Sequence, residues 1–121
     1  MAAPDTVVNV AEKLESFEEL FAPRIVAEFN GYQLKVVRAK GDLDWHHHDE
    51  TDELFLVVAG TLRIELADRA PVLLGEGELF VVPRGLEHRP VATEECHVLL
   101  VEPAGTPNTG DVATAATEEW V

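Results

Sequence analysis

The sequence predicts an all-β barrel or sandwich preceded by one short helix. Three observations predict it. From Arg24 onward, short apolar runs recur at close, even spacing, with Gly, Pro, Asn or Asp between them. Some of these runs alternate apolar and polar residues, as in Leu62-Arg63-Ile64-Glu65-Leu66, the pattern of a strand with one buried face. Helical spacing of apolar residues is confined to the stretch before Pro23.

Taken in order, the first eight residues are expected to fray. Residues 10–21 read as an amphipathic helix with Asn9 as its N-cap. Leu14, Phe17, Leu20 and Phe21 fall at helical spacing, Glu12, Lys13, Glu15, Glu18 and Glu19 face out, and Pro23 stops the run. A helix this short is marginal alone, so it should brace a larger body. Residues 25–29 and 32–39 read as two strands joined by an Asn30-Gly31 hairpin turn. Gly41-Asp42 breaks or bulges the second of them. Residues 53–59 form a third strand, which Gly60 turns into a strand over 61–66. Residues 67–70 are a turn, 71–74 a short strand, Gly75-Glu76-Gly77 a turn, and 78–82 a strand ended by Pro83-Arg84-Gly85. Residues 90–92 and 96–102 complete the set. Periodicity is lost from Pro103, where a turn-rich tail begins. The expected organisation is one domain over 1–121: a helix at 9–21, a barrel at 24–102 and an irregular tail at 103–121. Phe55, Val57, Leu62, Ile64, Phe80 and Val82 are expected to fill the barrel.

The bulk chemistry excludes several partners. The chain has 121 residues, 46% hydrophobic, enough for a core. Its formal net charge is -14 and no Lys/Arg cluster is present, which argues against nucleic acid and against anionic membranes. The single cysteine, Cys96, excludes an internal disulfide and suits a reducing cytoplasm. Met1-Ala2-Ala3-Pro4-Asp5 lacks the basic and apolar regions of a signal peptide, so a cytoplasmic protein is expected.

The chemistry concentrates in Trp45-His46-His47-His48-Asp49-Glu50-Thr51-Asp52-Glu53. Alternation along an extended chain puts His46 and His48 on one face and His47 on the other. Glu53 opens the next strand and folds back over the pair. Two imidazoles and a carboxylate suit a divalent transition ion. His88, after the Pro83-Arg84-Gly85 turn, is available as a fourth ligand. Asp52 is an alternative to Glu53. Cys96 reads as a small buried residue, and His97 as a strand-end histidine satisfied by hydrogen bonds. Arg84, Glu87 and Arg89 form either a charged rim or contacts to an anionic substrate.

Two motifs make the chain resemble the cupin superfamily. The first pattern of that family is H-x-H, three or four residues, E, six residues, G; here it is His46-His47-His48, four residues, Glu53, six residues, Gly60. The second is G, five residues, P-x-G, two residues, H; here it is Gly77, five residues, Pro83-Arg84-Gly85, two residues, His88. The chain departs at a leading glycine, Gly41, one position nearer His46 than usual, and at Ala92, where the family often has Asn. The resemblance implies a double-stranded β-helix, or jelly-roll barrel, with a divalent transition metal (Fe, Mn, Ni, Zn or Cu) on His46, His48, Glu53 and His88. With an octahedral ion, two positions stay open.

Function follows less directly. A metal-dependent small-molecule enzyme is the leading expectation, of isomerase, epimerase, lyase or dioxygenase type. The alternatives are a non-catalytic metal or small-ligand binding module and a structural or storage barrel. Small cupins often carry a mannose-6-phosphate isomerase-like label, yet no Lys/Arg phosphate clamp stands out here. The acid/base residue is unassigned, with Tyr32 and Glu28 as possibilities. The resemblance also implies a homodimer, formed through sheet edges or terminal segments, with the tail from Pro103 as a candidate contact.

Overall fold

The computed structural model describes residues 6–111 and 113–121. The expectations for Met1-Ala2-Ala3-Pro4-Asp5 lie outside them. One helix, α1 (Val10–Glu15), precedes β1 (Arg24–Phe29), β2 (Tyr32–Asp42), β3 (Glu53–Ala59), β4 (Leu62–Leu66), β5 (Arg69–Leu74), β6 (Leu79–Val82), β7 (His88–Pro103) and β8 (Glu119–Trp120).

The helix begins as expected and ends early. The Asn9 side chain accepts from the Glu12 N–H at 3.0 Å, a working N-cap. The helix stops at Glu15 rather than reaching Phe21, because the Ser16 N–H and hydroxyl both turn back to the Lys13 carbonyl. Arg38 from β2 then completes the end: its Nη1 donates to the Leu14 and Phe17 carbonyls at 2.9 and 2.8 Å. Leu14 and Phe17 still bury against Val26 and Val36 of the sheet.

The hairpin of β1 and β2 turns at Asn30 and Gly31, both at positive φ (51° and 79°), as a type I′ turn requires. The spine of the fold is β7. Its first residues pair antiparallel with β4, while its later half runs between β2 and β3. The sequence reads this segment as two strands; the structure joins them into one of 16 residues that bends across exposed Thr93-Glu94-Glu95. That bend carries the chain from one face of the barrel to the other. The result is a jelly-roll barrel, β5-β4-β7-β2-β1-β8, with β3 and β6 closing beside β7.

Inward alternation builds the core. Phe55 and Val57 of β3, Leu62 and Ile64 of β4, Val82 of β6, and Val98 and Leu100 of β7 are buried together, with Phe80 packed against them. Gly60 sits where the chain passes Cys96: a Cβ there would lie 2.9 Å from the Cys96 Cβ, and its φ is +85°. The tail is irregular at first but ends in β8, which pairs parallel with β1 through Arg24–Glu119 and Ile25–Trp120. Lys13 Nζ donates to the Val121 carbonyl at 2.9 Å. The tail thus folds onto its own barrel.

Candidate metal centre

His46, His48, Glu53 and His88 converge inside the barrel. One donor atom of each lies within 4.8 Å of all the others, and all four residues are buried. Two chain segments are tied together to achieve this. The His46 N–H donates to the His88 carbonyl at 3.0 Å, and the His88 N–H donates back at 2.9 Å. The Gly85 N–H donates to the His48 carbonyl at 2.8 Å, so the Pro83–Leu86 turn is fixed to the H-x-H segment. His46 pairs with His88 in a short antiparallel bridge, whereas His47 and His48 lie outside any strand. The alternation predicted for a strand nonetheless holds: His46 and His48 point in and His47 points out.

Ring orientation is set by local carbonyls. His46 Nδ1 faces the Asp44 carbonyl at 2.7 Å, and His88 Nδ1 faces the Leu86 carbonyl at 2.9 Å. A carbonyl only accepts, so each Nδ1 carries the proton and each Nε2 lone pair is left for a ligand. His48 Nε2 and His88 Nε2 stand 3.5 and 3.4 Å from Glu53 Oε1. These three atoms are buried without a hydrogen-bond partner. Such groups are costly to leave bare, and they are the donor types that a divalent transition ion takes. The donor set therefore fits a metal.

Electrostatics agree. Burial holds the His46 imidazole below its ordinary range, hence neutral and ready to ligate. Burial alone would raise Glu53, but the His48 ring facing it holds its carboxyl well below the usual range. Glu102 goes the other way: burial first, then the Glu53 carboxylate beside it, pushes its carboxyl well above that range. Behind it, Lys35 Nζ donates to Glu102 Oε1 at 2.8 Å and to the Thr106 carbonyl at 3.2 Å, and pairs with Glu118 from the tail. Burial would pull the Lys35 ammonium down, but Glu102 and Glu118 outweigh it and keep it charged.

The other sequence candidates lie elsewhere. His47 pairs with Asp49 and Glu87 at the surface. Asp52 accepts from the Arg84 N–H at 2.9 Å and is not among the converging donors. Arg89 is engaged by Glu65 and lies over the Trp45 ring. His97 Nε2 meets Glu95 at 2.8 Å. Tyr32 and Glu28 are exposed at the hairpin end, and neither lines the cavity beside the ligands. Both flank the Asn30-Gly31 turn, and neither is among the converging donors. The Lys35–Glu102–Glu118 cluster was missed by sequence reasoning. Its signal was alternation: Lys35 shares a face of β2 with inward-pointing Val37.

Residues 34–102 match the family model for the cupin domain. The chain belongs to the cupin family. This cupin is 34% identical over 81 residues to the uncharacterized protein YdbB of Bacillus subtilis (strain 168), a match covering 67% of this chain and 72% of that one. Its fold is similar to that of a cupin-2 domain protein from Shewanella frigidimarina, with 43% identity, coverage of 80% of this chain and 94% of that one, and a TM-score of 0.78. Protein NMB1881 of Neisseria meningitidis is also similar, at 30% identity, with 82% and 100% coverage and a TM-score of 0.75.

Proposed function

We propose that this cupin holds one divalent transition ion on His46, His48, Glu53 and His88, and works as a metal-dependent small-molecule enzyme. The observation that carries this reading is the trio of buried donor atoms, on His48, Glu53 and His88, left without partners. Fe, Mn, Ni, Zn and Cu all suit imidazole and carboxylate donors. When bound, such an ion supplies Lewis acidity, or redox chemistry in the case of iron, manganese or copper. Isomerase, epimerase, lyase and dioxygenase chemistries are all compatible with that. The protein's own residues orient the ligands, through the Asp44 and Leu86 carbonyls, and shield them in an apolar cavity.

One observation favours a second reading, a non-catalytic metal or small-ligand module. Among the described residues, the polar side chains that line the cavity beside the ligands are His46, Glu53 and Asn108. The Asn108 amide is already engaged on both sides, by the Phe21 carbonyl and the Ala116 N–H. Among the described residues, no acid/base group outside the ligand set lines it.

The deciding experiment is elemental analysis of untagged protein, wild type against His88→Ala. Wild type should carry close to one transition ion per chain and the variant almost none. Unchanged stoichiometric metal in a folded variant would end the four-ligand model.

The partner we propose is a small molecule, in a cytoplasmic protein that forms a homodimer. Leu79 and Val81 of β6, an edge strand, are 57% and 44% exposed and support pairing through that edge. Light scattering at micromolar concentration should give a dimer mass; a monomer mass would refute the pairing.

A further inference from the structure

We propose that the tail loop is an outer clamp on the metal centre, and that Gly110 is its positioning residue. Gly110 sets the His47 backbone and, through it, how His46 and His48 stand to each other. The inference rests on the metal-binding reading above and adds to the four ligands a residue that does not itself touch the ion.

One residue separates His46 from His48, so the backbone dihedrals at His47 decide the relation between the two ligand rings. His47 and His48 lie outside any strand, so no sheet ladder fixes those dihedrals. Hydrogen bonds hold the ends of the segment. The His46 N–H donates to the His88 carbonyl at 3.0 Å, and the Gly85 N–H donates to the His48 carbonyl at 2.8 Å. The middle of the segment meets the tail. Gly110 has a φ of +77°, and a Cβ built on it would run into the His47 carbonyl oxygen. That Cβ would also lie 3.2 Å from the His47 carbonyl carbon and 3.6 Å from its nitrogen. Only glycine lets the tail backbone come so near. Gly110 lies beyond residues 34–102, the part that matches the cupin domain, so the contact is supplied by this chain's own tail.

The loop reaches His47 already tied to the barrel. Lys35 Nζ donates to the Thr106 carbonyl at 3.2 Å, and Asn108 Nδ2 donates to the Phe21 carbonyl at 3.0 Å. Thr106 and Asn108 are both buried. The Gly110 N–H donates to the Pro107 carbonyl at 3.0 Å and closes the turn that presents Gly110. A methyl group at position 110 must therefore displace the His47 peptide or lift the loop off its anchors. Either way the clamp is lost. Residues that orient ligands without touching the ion are worth about 10–100-fold in metal affinity. Gly105 supplies the contrast. It lies in the same loop with a φ of +85°, and a Cβ there meets nothing within 4 Å. It carries the backbone strain without the contact.

The test is cobalt(II) binding to the full chain, read by competition with a chelator and by the visible spectrum of the bound ion, which reports its coordination geometry. Wild type is titrated first; failure to bind cobalt overturns the metal reading itself, before any variant is compared. Gly110→Ala should bind cobalt about 10–100-fold more weakly and with shifted bands. Gly105→Ala should keep the wild-type affinity and bands, although backbone strain lowers the metal-free melting temperature of both variants. Wild-type affinity and bands in Gly110→Ala, or an equal loss of affinity in the two glycine variants, overturn the clamp. Asn108→Ala unties the loop from Phe21 without adding bulk, and should weaken cobalt binding in the same direction. Unchanged binding by Asn108→Ala also overturns the clamp, and decides the matter alone if Gly110→Ala does not fold.

Discussion

His46 and His88 are partners through their backbones as well as neighbours at the site. Each donates its N–H to the other's carbonyl, at 3.0 and 2.9 Å, and their rings are 4.4 Å apart. Two candidate donors distant in sequence are thereby fixed to each other. The site is preorganised, so an ion should stabilise the fold with little rearrangement. Nickel in excess over chelator should raise the thermal midpoint, by the equivalent of ~4 kcal/mol at a thousand times Kd. The gain should vanish in His46→Ala and be reversed by chelation. A wild-type midpoint indifferent to nickel would show that the four donors do not act as a site.

Much of this was legible in the sequence. His46, His48, Glu53 and His88 are set by short spacings inside two motifs, and local turns decide where such residues point. Asn9, Asn30 and Gly31 likewise act within a few residues of themselves. What was not legible depends on distant partners. The helix stops at Glu15, with its end completed by Arg38, a residue of β2. The tail reads as irregular because its hold on the barrel is made by Glu118 and Asn108, polar residues whose partners are Lys35 and Phe21. A lysine on a strand normally reads as solvent-facing, and only the register of β2 with β7 brings Lys35 beside Leu100 and toward Glu102.

Gly60 and Gly41 separate backbone strain from crowding. Both have φ near +85°, at +85° and +86°, but a Cβ at Gly60 meets Cys96 at 2.9 Å and Glu95 O at 3.2 Å, while Gly41 has open space. Gly41→Ala should cost ~1 kcal/mol, from the left-handed conformation alone. Gly60→Ala should cost ~2–3 kcal/mol, the same strain plus displacement of β7 backbone. Equal losses in urea titrations would mean that the approach to Cys96 is not tight.

Cys96 should be inert. It is fully buried, and burial, followed by the Glu95 charge, pushes its thiol up to about 11. Native protein at pH 8 should not react with an aromatic disulfide reagent, whereas protein in guanidinium should react fully. The sign of the linkage follows. The folded state keeps the proton longer than the unfolded one, whose thiol titrates near ~8.5. The stability tied to this thiol is complete below that pH and is lost as pH rises toward 11. Cys96→Ser should flatten the alkaline fall, and rapid native labelling would refute the buried neutral thiol.

Lys35 anchors the tail to the interior. Its ammonium is fully buried, with Glu102 at 2.8 Å, the Thr106 carbonyl at 3.2 Å and Glu118 as partners. Glu118, from the tail, is a carboxylate that meets the ammonium there. Lys35→Met leaves that carboxylate part-buried without a cation, and breaking such a pair costs ~3–5 kcal/mol. The loss should concentrate at the tail: the Val121 amide, bonded to the Ile25 carbonyl, should exchange hydrogen faster than the amides of β3. Adding Glu118→Gln should recover part of the stability, because it removes the stranded charge rather than restoring the pair. Hydrogen exchange and urea titration of the three proteins read both effects. A loss below ~1 kcal/mol in Lys35→Met with unchanged tail exchange would mean that the ammonium does not hold the tail, since a buried pair cannot be broken that gently.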